Sequence, residues 1–164
     1  MITKNFIKMC EGAKQLQKSW KPKVGDYVWR KYTFFGEQMD EQFWDKDKME
    51  EIIILTYASE VDGYFHATKD GETRIFDSHN EAHKKTCIYL PTQEQLQEMW
   101  QKEYFKNPNR HGWFGCFINF IDGNYKDDLI ADEYFKDMTE LWLAFVMKEG
   151  YNKSWTGEKW VKAE

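Results

Sequence analysis

The sequence predicts an α+β fold: an N-terminal helix, an antiparallel sheet of about five strands, and C-terminal helices packed on that sheet. Three observations lead there. Apolar residues recur at helical spacing over residues 3–20 and again beyond Pro91; β-branched and aromatic runs separated by Asp-Gly turns fill residues 24–90; and Trp155 and Trp160 flank Thr-Gly-Glu-Lys as in a tight hairpin. A length of 164 residues suits a single domain, 1–164, able to bury roughly two-thirds of the surface its unfolded form exposes.

Over residues 3–20, Phe6, Cys10, Ala13, Leu16 and Trp20 return to one face at steps of three and four, and Pro22 ends the helix. Lys23 to Arg30 reads as a strand entered through a turn at Gly25. Residues 34–48 mix aromatics and charges without a period and read as an exposed loop or irregular edge strand. Ile52 to Tyr57 is apolar enough to be a strand buried on both faces. Asp62-Gly63 and Asp70-Gly71 then mark off Tyr64–Ala67 and Glu72–Phe76 as successive strands of a meander, and Lys85–Leu90 closes the β portion before Pro91.

Thr92 and Gln95 form a capping box, and Leu96, Met99, Trp100 and Tyr104 mark the buried face of a helix that ends near Asn107-Pro108. Gly112 to Ile121 reads as a second helix, although Phe114, Cys116, Phe117, Phe120 and Ile121 also suit a buried strand. Residues 124–138 form an acidic connector. In the last helix Thr139 is the expected N-cap, Leu141, Trp142, Phe145 and Val146 the apolar stripe that covers the sheet, and Gly150 the left-handed C-terminal cap.

The composition narrows the function classes. Eight Trp, nine Tyr and twelve Phe make 18% of the chain aromatic, a source of core rings and of faces that stack planar ligands. The net charge of −5 arises from 23 basic and 28 acidic residues that are interspersed, which argues against duplex nucleic acid as a partner; the acidic stretch from Asp40 to Glu51 is broken by Lys46 and Lys48 and reads as a solvated face. Cys10, Cys87 and Cys116 are odd in number, widely spaced and set among apolar residues, the pattern of reduced thiols in a cytoplasmic protein. No charged leader precedes an apolar segment, and no apolar run approaches the ~20 residues that span a membrane.

Catalytic signatures are missing from the sequence. His79 and His83 are the one histidine pair at metal spacing, but Glu81 lies at the wrong offset for a zincin and no third ligand is evident, so no metal is expected. There is no Gly-x-Ser-x-Gly elbow and no phosphate loop at Gly112 and Gly115; His111 and Cys116 are spaced wrongly for a dyad on one helix face. No cofactor is implied. What the sequence does offer is cations beside aromatics: Trp29 next to Arg30 and Lys31, Arg74 near Phe76, Arg110 near Trp113, and Lys153 near Trp155. Rings stack on bases and cations hold phosphates, so Trp29, Arg74, Arg110, Trp113, Lys153 and Trp155 are the candidate ligand-binding residues; for any one pair, a solvent-facing cation beside a core ring is the plainer alternative.

Leu90-Pro91-Thr92-Gln93-Glu94-Gln95-Leu96-Gln97-Glu98-Met99, Leu141 to Glu149 and the turn from Trp155 to Trp160 together resemble a group of small uncharacterised proteins encoded by bacteriophages and prophages of Gram-positive bacteria. The resemblance covers mainly the C-terminal half and transfers no catalytic residue. It implies an accessory phage product, a class that includes inhibitors of host defence, in the cytoplasm of the bacterial host. The expected function is accordingly non-enzymatic: binding or sequestering a nucleotide-type small molecule, with inhibition of a host protein surface as one alternative. The other is a small nucleotide hydrolase assembled from dispersed residues such as His66, Asp77, His79 and His83. Homo-oligomerisation is left open.

Overall fold

The computed structural model describes residues 2–31, 50–58, 64–69, 72–77, 87–104, 112–124 and 135–163. Helices and antiparallel sheets are both present, as the α+β class requires. The chain divides into two compact units, one formed by residues 1–18 with 91–164 and the other by residues 19–90. The loop expected at 34–48, the two Asp-Gly turns, Asn107-Pro108, Arg110, His111 and the His79/His83 pair lie outside the described residues.

The unit of residues 19–90 contains β1 (Tyr27–Lys31), β2 (Glu50–Ala58), β3 (Tyr64–Lys69), β4 (Glu72–Asp77) and β5 (Cys87–Leu90), hydrogen-bonded in the order β4-β3-β2-β1-β5. The meander therefore does not end on its last strand. β5 returns to the far edge and pairs with β1, with Val28 opposite Tyr89 and Trp29 opposite Ile88. Gly25, at φ 92°, enters β1 as the glycine turn predicted, and its N–H donates to Leu55 O at 2.6 Å. On one face Val28, Leu55 and Cys87 form a buried cluster that Trp20 joins, its ring stacked 4.9 Å from Tyr89 at an interplanar angle of 5°. The buried Asp26 is satisfied by Trp20 Nε1 at 2.7 Å and Lys23 N–H at 2.9 Å, which ties the entry segment to the strand. β2 is not buried on both faces: Leu55 is buried, but its neighbour Ile54 is exposed, so alternation survives inside a run that looked uniformly apolar.

The other unit begins with α1 (Lys4–Gly12) and α2 (Lys14–Ser19). The predicted face is present, with Phe6, Cys10, Ala13 and Leu16 buried, but the helix is interrupted where Ala13 takes φ −77° and ψ 61°, and it stops before Pro22. Thr3 caps α1 by accepting from Phe6 N–H at 2.9 Å. α3 (Gln93–Tyr104) starts at the expected capping box: Gln95 N–H donates to Thr92 Oγ1 at 3.3 Å and Thr92 N–H to Gln95 Oε1 at 2.8 Å. Leu96 and Trp100 are buried on it, and Met99 is half-buried.

Two helices complete this unit. α4 (Trp113–Asn124) is helical, not a strand, and runs three residues past the expected end at Ile121; Phe117 and Phe120 face inward, whereas Phe114 is exposed. α5 (Met138–Tyr151) departs from the prediction at both ends. Asp137, not Thr139, is the N-cap, its carboxylate accepting from Thr139 N–H at 2.9 Å and Glu140 N–H at 3.0 Å. Gly150 stays helical, and Asn152 supplies the left-handed cap at φ 53° and ψ 48°. Asn tolerates that region because its short polar side chain can bond locally. Nor is α5 a one-sided stripe: residues 142–147 are all buried, so it is a core helix of its unit. Trp142 stacks on Phe117 at 3.9 Å, and Phe145 meets Trp100, Phe117, Phe120 and Trp142 edge-on.

Glu140 is a wholly buried carboxylate at the start of α5. It accepts from Thr3 Oγ1, from Asn5 Nδ2 at 2.8 Å and from Lys136 N–H at 2.7 Å, which binds the first residues of α1 to α5 across 137 positions of sequence. Burial, and secondarily the charge of Glu140, hold the Cys10 thiol well above its ordinary pKa. The last strands, β6 (Lys153–Trp155) and β7 (Trp160–Lys162), form a separate two-stranded sheet with Trp155 opposite Trp160, as the flanking tryptophans predicted. No helix among the described residues is long and apolar enough to cross a membrane.

Candidate functional site

A concavity among the described residues lies where the end of α1 meets the β6–β7 hairpin. It arises from a break in a helix. α1 stops at Gly12, and the carbonyls of its last turn need donors. Ala13 N–H reaches Met9 O at 3.0 Å and Cys10 O at 3.1 Å, and two side chains add second donors to the same carbonyls: Gln17 Nε2 donates to Cys10 O at 3.0 Å, and Trp160 Nε1 donates to Met9 O at 2.8 Å.

Trp160 is delivered to that carbonyl by the hairpin. Thr156 N–H donates to Lys159 O at 3.1 Å, Lys159 N–H returns to Thr156 Oγ1 at 3.3 Å, and Gly157 takes φ 87°, a value that favours glycine. The turn places the Trp155 and Trp160 rings 5.1 Å apart at 57°. Gly12 makes room for the outer ring. A Cβ there would stand 2.8 Å from Trp160 Cδ1, closer than carbon atoms pack, so the missing side chain is a steric condition of the docked indole.

The groove has a volume of about 380 Å³ and is lined by Lys8, Glu11, Gly12 and Lys14 from the helical segment and by Trp155, Glu158, Lys159 and Trp160 from the hairpin. All five charged residues are exposed. Three lysines against two glutamates leave a net charge of +1 on the lining. Trp155 is 5% exposed and its Nε1 is a buried donor without an acceptor among the described residues, whereas Trp160 is half-buried and keeps part of its ring at the groove. A ring with one edge pinned by a hydrogen bond, beside mobile cations, can stack a planar group and attract an anion attached to it.

The predicted site residues are dispersed. Trp155 lines the groove; Lys153, two residues earlier on β6, stands opposite Lys162 and is not part of the lining. Trp29 is buried at 8% exposure in β1, where it reads as core rather than as a stacking face. Arg74 lies on β4 opposite Ala67, Trp113 opens α4, and Arg110 lies outside the described residues. Lys8, Glu11, Gly12, Lys14, Glu158, Lys159 and Trp160 were missed. The one signal that could have found the site was Trp160 itself, already recognised as half of the hairpin, since a tryptophan in a two-stranded ribbon needs a surface to rest on.

Among the described residues no group of three or more His, Cys, Asp or Glu is placed to hold a metal ion. His66 and Asp77 lie on the paired strands β3 and β4. No family model matches the chain, and no curated protein or solved structure is similar to it.

Proposed function

We propose that this chain is a non-enzymatic binding protein that holds a nucleotide-type ligand in the groove between α1 and the C-terminal hairpin, in the accessory, sequestering role that the resemblance to phage proteins implies. The observation that supports it best is the half-buried Trp160 ring, pinned through Nε1 to Met9 O and flanked by Lys8, Lys14 and Lys159. A base on that ring gains on the order of 1–3 kcal/mol, and the bond to Met9 O holds the ring in place for it. The lysines act as point charges on flexible stems and supply attraction without fixing geometry.

Calorimetric titration with nucleosides and nucleotides tests this reading. Lys159→Ala should weaken binding in a salt-sensitive way, and Trp160→Ala should weaken it at every ionic strength. Absence of binding by every nucleotide at millimolar concentration would sink the proposal. Turnover of a bound nucleotide would favour the hydrolase alternative. A second reading, docking on a host protein, is favoured by Phe114 and Ile118, exposed one turn apart on α4.

A further inference from the structure

We infer that the groove selects a base-bearing ligand with a single negative charge, a phosphodiester such as a cyclic mononucleotide, and discriminates against nucleoside polyphosphates. This rests on the nucleotide reading above and adds a charge rule to it. The cations that would attract a phosphate do not stand alone. Glu11 lies one turn from Lys8 on α1 and three residues before Lys14 across the break at Ala13, and Glu158 precedes Lys159 in the hairpin. A ligand with one negative charge can sit nearest a lysine and leave both carboxylates free. A triphosphate, several charges long, covers more of this mixed lining and so comes nearer Glu11 or Glu158, and each like-charge approach opposes binding.

The backbone acts in the same sense. The groove lies at the C-terminal end of the nine-residue α1, where helix carbonyls carry partial negative charge, although the short α2 that begins at Lys14 offsets part of that field. The carboxylates also have a positive use. They only accept hydrogen bonds, so Glu11 and Glu158 suit the amino and hydroxyl groups of a base and ribose stacked on Trp160, groups that a purely basic groove would leave unpaired. Selection is thus built from an attractive element, the lysines with Trp160, and a repulsive one, the two glutamates.

The test is calorimetry of the full chain with adenosine 3′,5′-cyclic monophosphate, adenosine monophosphate and adenosine triphosphate, and with the guanosine counterparts, at low and moderate salt without divalent cations. The cyclic monophosphate should bind about tenfold more tightly than the triphosphate. In the double variant Glu11→Gln, Glu158→Gln the triphosphate should gain about fivefold while the cyclic form changes by less than about twofold. Both glutamates are exposed, and an unchanged melting temperature would verify that the variant is folded. A triphosphate that binds as tightly as the cyclic form, or that gains nothing in the variant, overturns the charge rule and leaves the nucleotide reading standing. If no nucleotide binds at millimolar concentration, the nucleotide reading falls and the charge rule falls with it.

Discussion

Phe145 is completely buried and meets four other rings edge-on, with centroids 4.9 Å from Trp100, 5.3 Å from Phe117 and Phe120, and 5.4 Å from Trp142. Replacing it by alanine removes a ring from the middle of a cluster contributed by α3, α4 and α5. Phe-to-Ala changes in cores cost about 3–5 kcal/mol, and edge-to-face pairs add about 0.5–1.5 kcal/mol each beyond area; the pair terms share one cavity and do not sum, so Phe145→Ala should cost about 5 kcal/mol. Against a typical total of about 5–15 kcal/mol, that is a large part of the stability. Phe145→Leu restores most of the volume without the ring geometry and should cost about 1–2 kcal/mol. Urea titration followed by far-ultraviolet circular dichroism gives both numbers, provided the slope with denaturant is unchanged. An alanine variant within about 1 kcal/mol of the parent would mean that the cluster is not a cooperative core.

Glu140→Gln exchanges a carboxylate that takes three donors on two oxygens for an amide with one accepting oxygen and an NH2 in place of the other, and should lower stability by about 2–3 kcal/mol in thermal melts. Gly12→Ala would gain up to about 1 kcal/mol of helix propensity, yet the Cβ 2.8 Å from Trp160 Cδ1 forces the indole off Met9, so a net loss and a shifted tryptophan emission are expected; a stabilised variant with unchanged emission would refute the docking argument. The buried Cys10 thiol should resist alkylation in the native protein while the half-buried Cys116 reacts first, as mass mapping of the adducts would reveal. Because the folded protein holds the Cys10 proton more tightly than the unfolded chain does, this group has no effect on stability below the thiol's ordinary value of 9.0. Above it, stability should fall with rising pH by up to about 1.4 kcal/mol per unit, and Cys10→Ser should remove that slope.

Local chemistry was legible in the sequence wherever the partners are close neighbours. The reciprocal Thr92–Gln95 bonds and the pairing of Trp155 with Trp160 follow from spacing alone, because a capping box and a tight hairpin are closed by residues three to five apart. Periodicity located the buried face of α1 but not its interruption at Ala13, where Gln17 and Trp160 add side-chain donors to the carbonyls of Met9 and Cys10. Competition between caps also escaped: Asp137 outranks Thr139 because its carboxylate reaches two N–H groups, and Asn152 replaces Gly150 because α5 continues past the glycine. The groove was the least legible feature. Cations beside rings in the sequence pointed to Trp155 but could not pair residues 8–14 with residues 155–160, since that pairing joins positions 151 apart, as the bond from Trp160 to Met9 O does.

That same bond bears on the order in which the protein can be made. Residues 19–90 can complete their strand pairings from contacts within their own stretch, whereas the other unit joins residues 1–18 to residues 91–164. During synthesis α1 emerges well before Glu140, which anchors its start, and Trp160, which caps its end. Until then Met9 O lacks its indole donor, and a helix of nine residues is too short to persist alone. The ribosome therefore sets the earliest moment at which this unit can close, and a chain stalled before residue 160 would leave the apolar side of α1 for chaperones to hold.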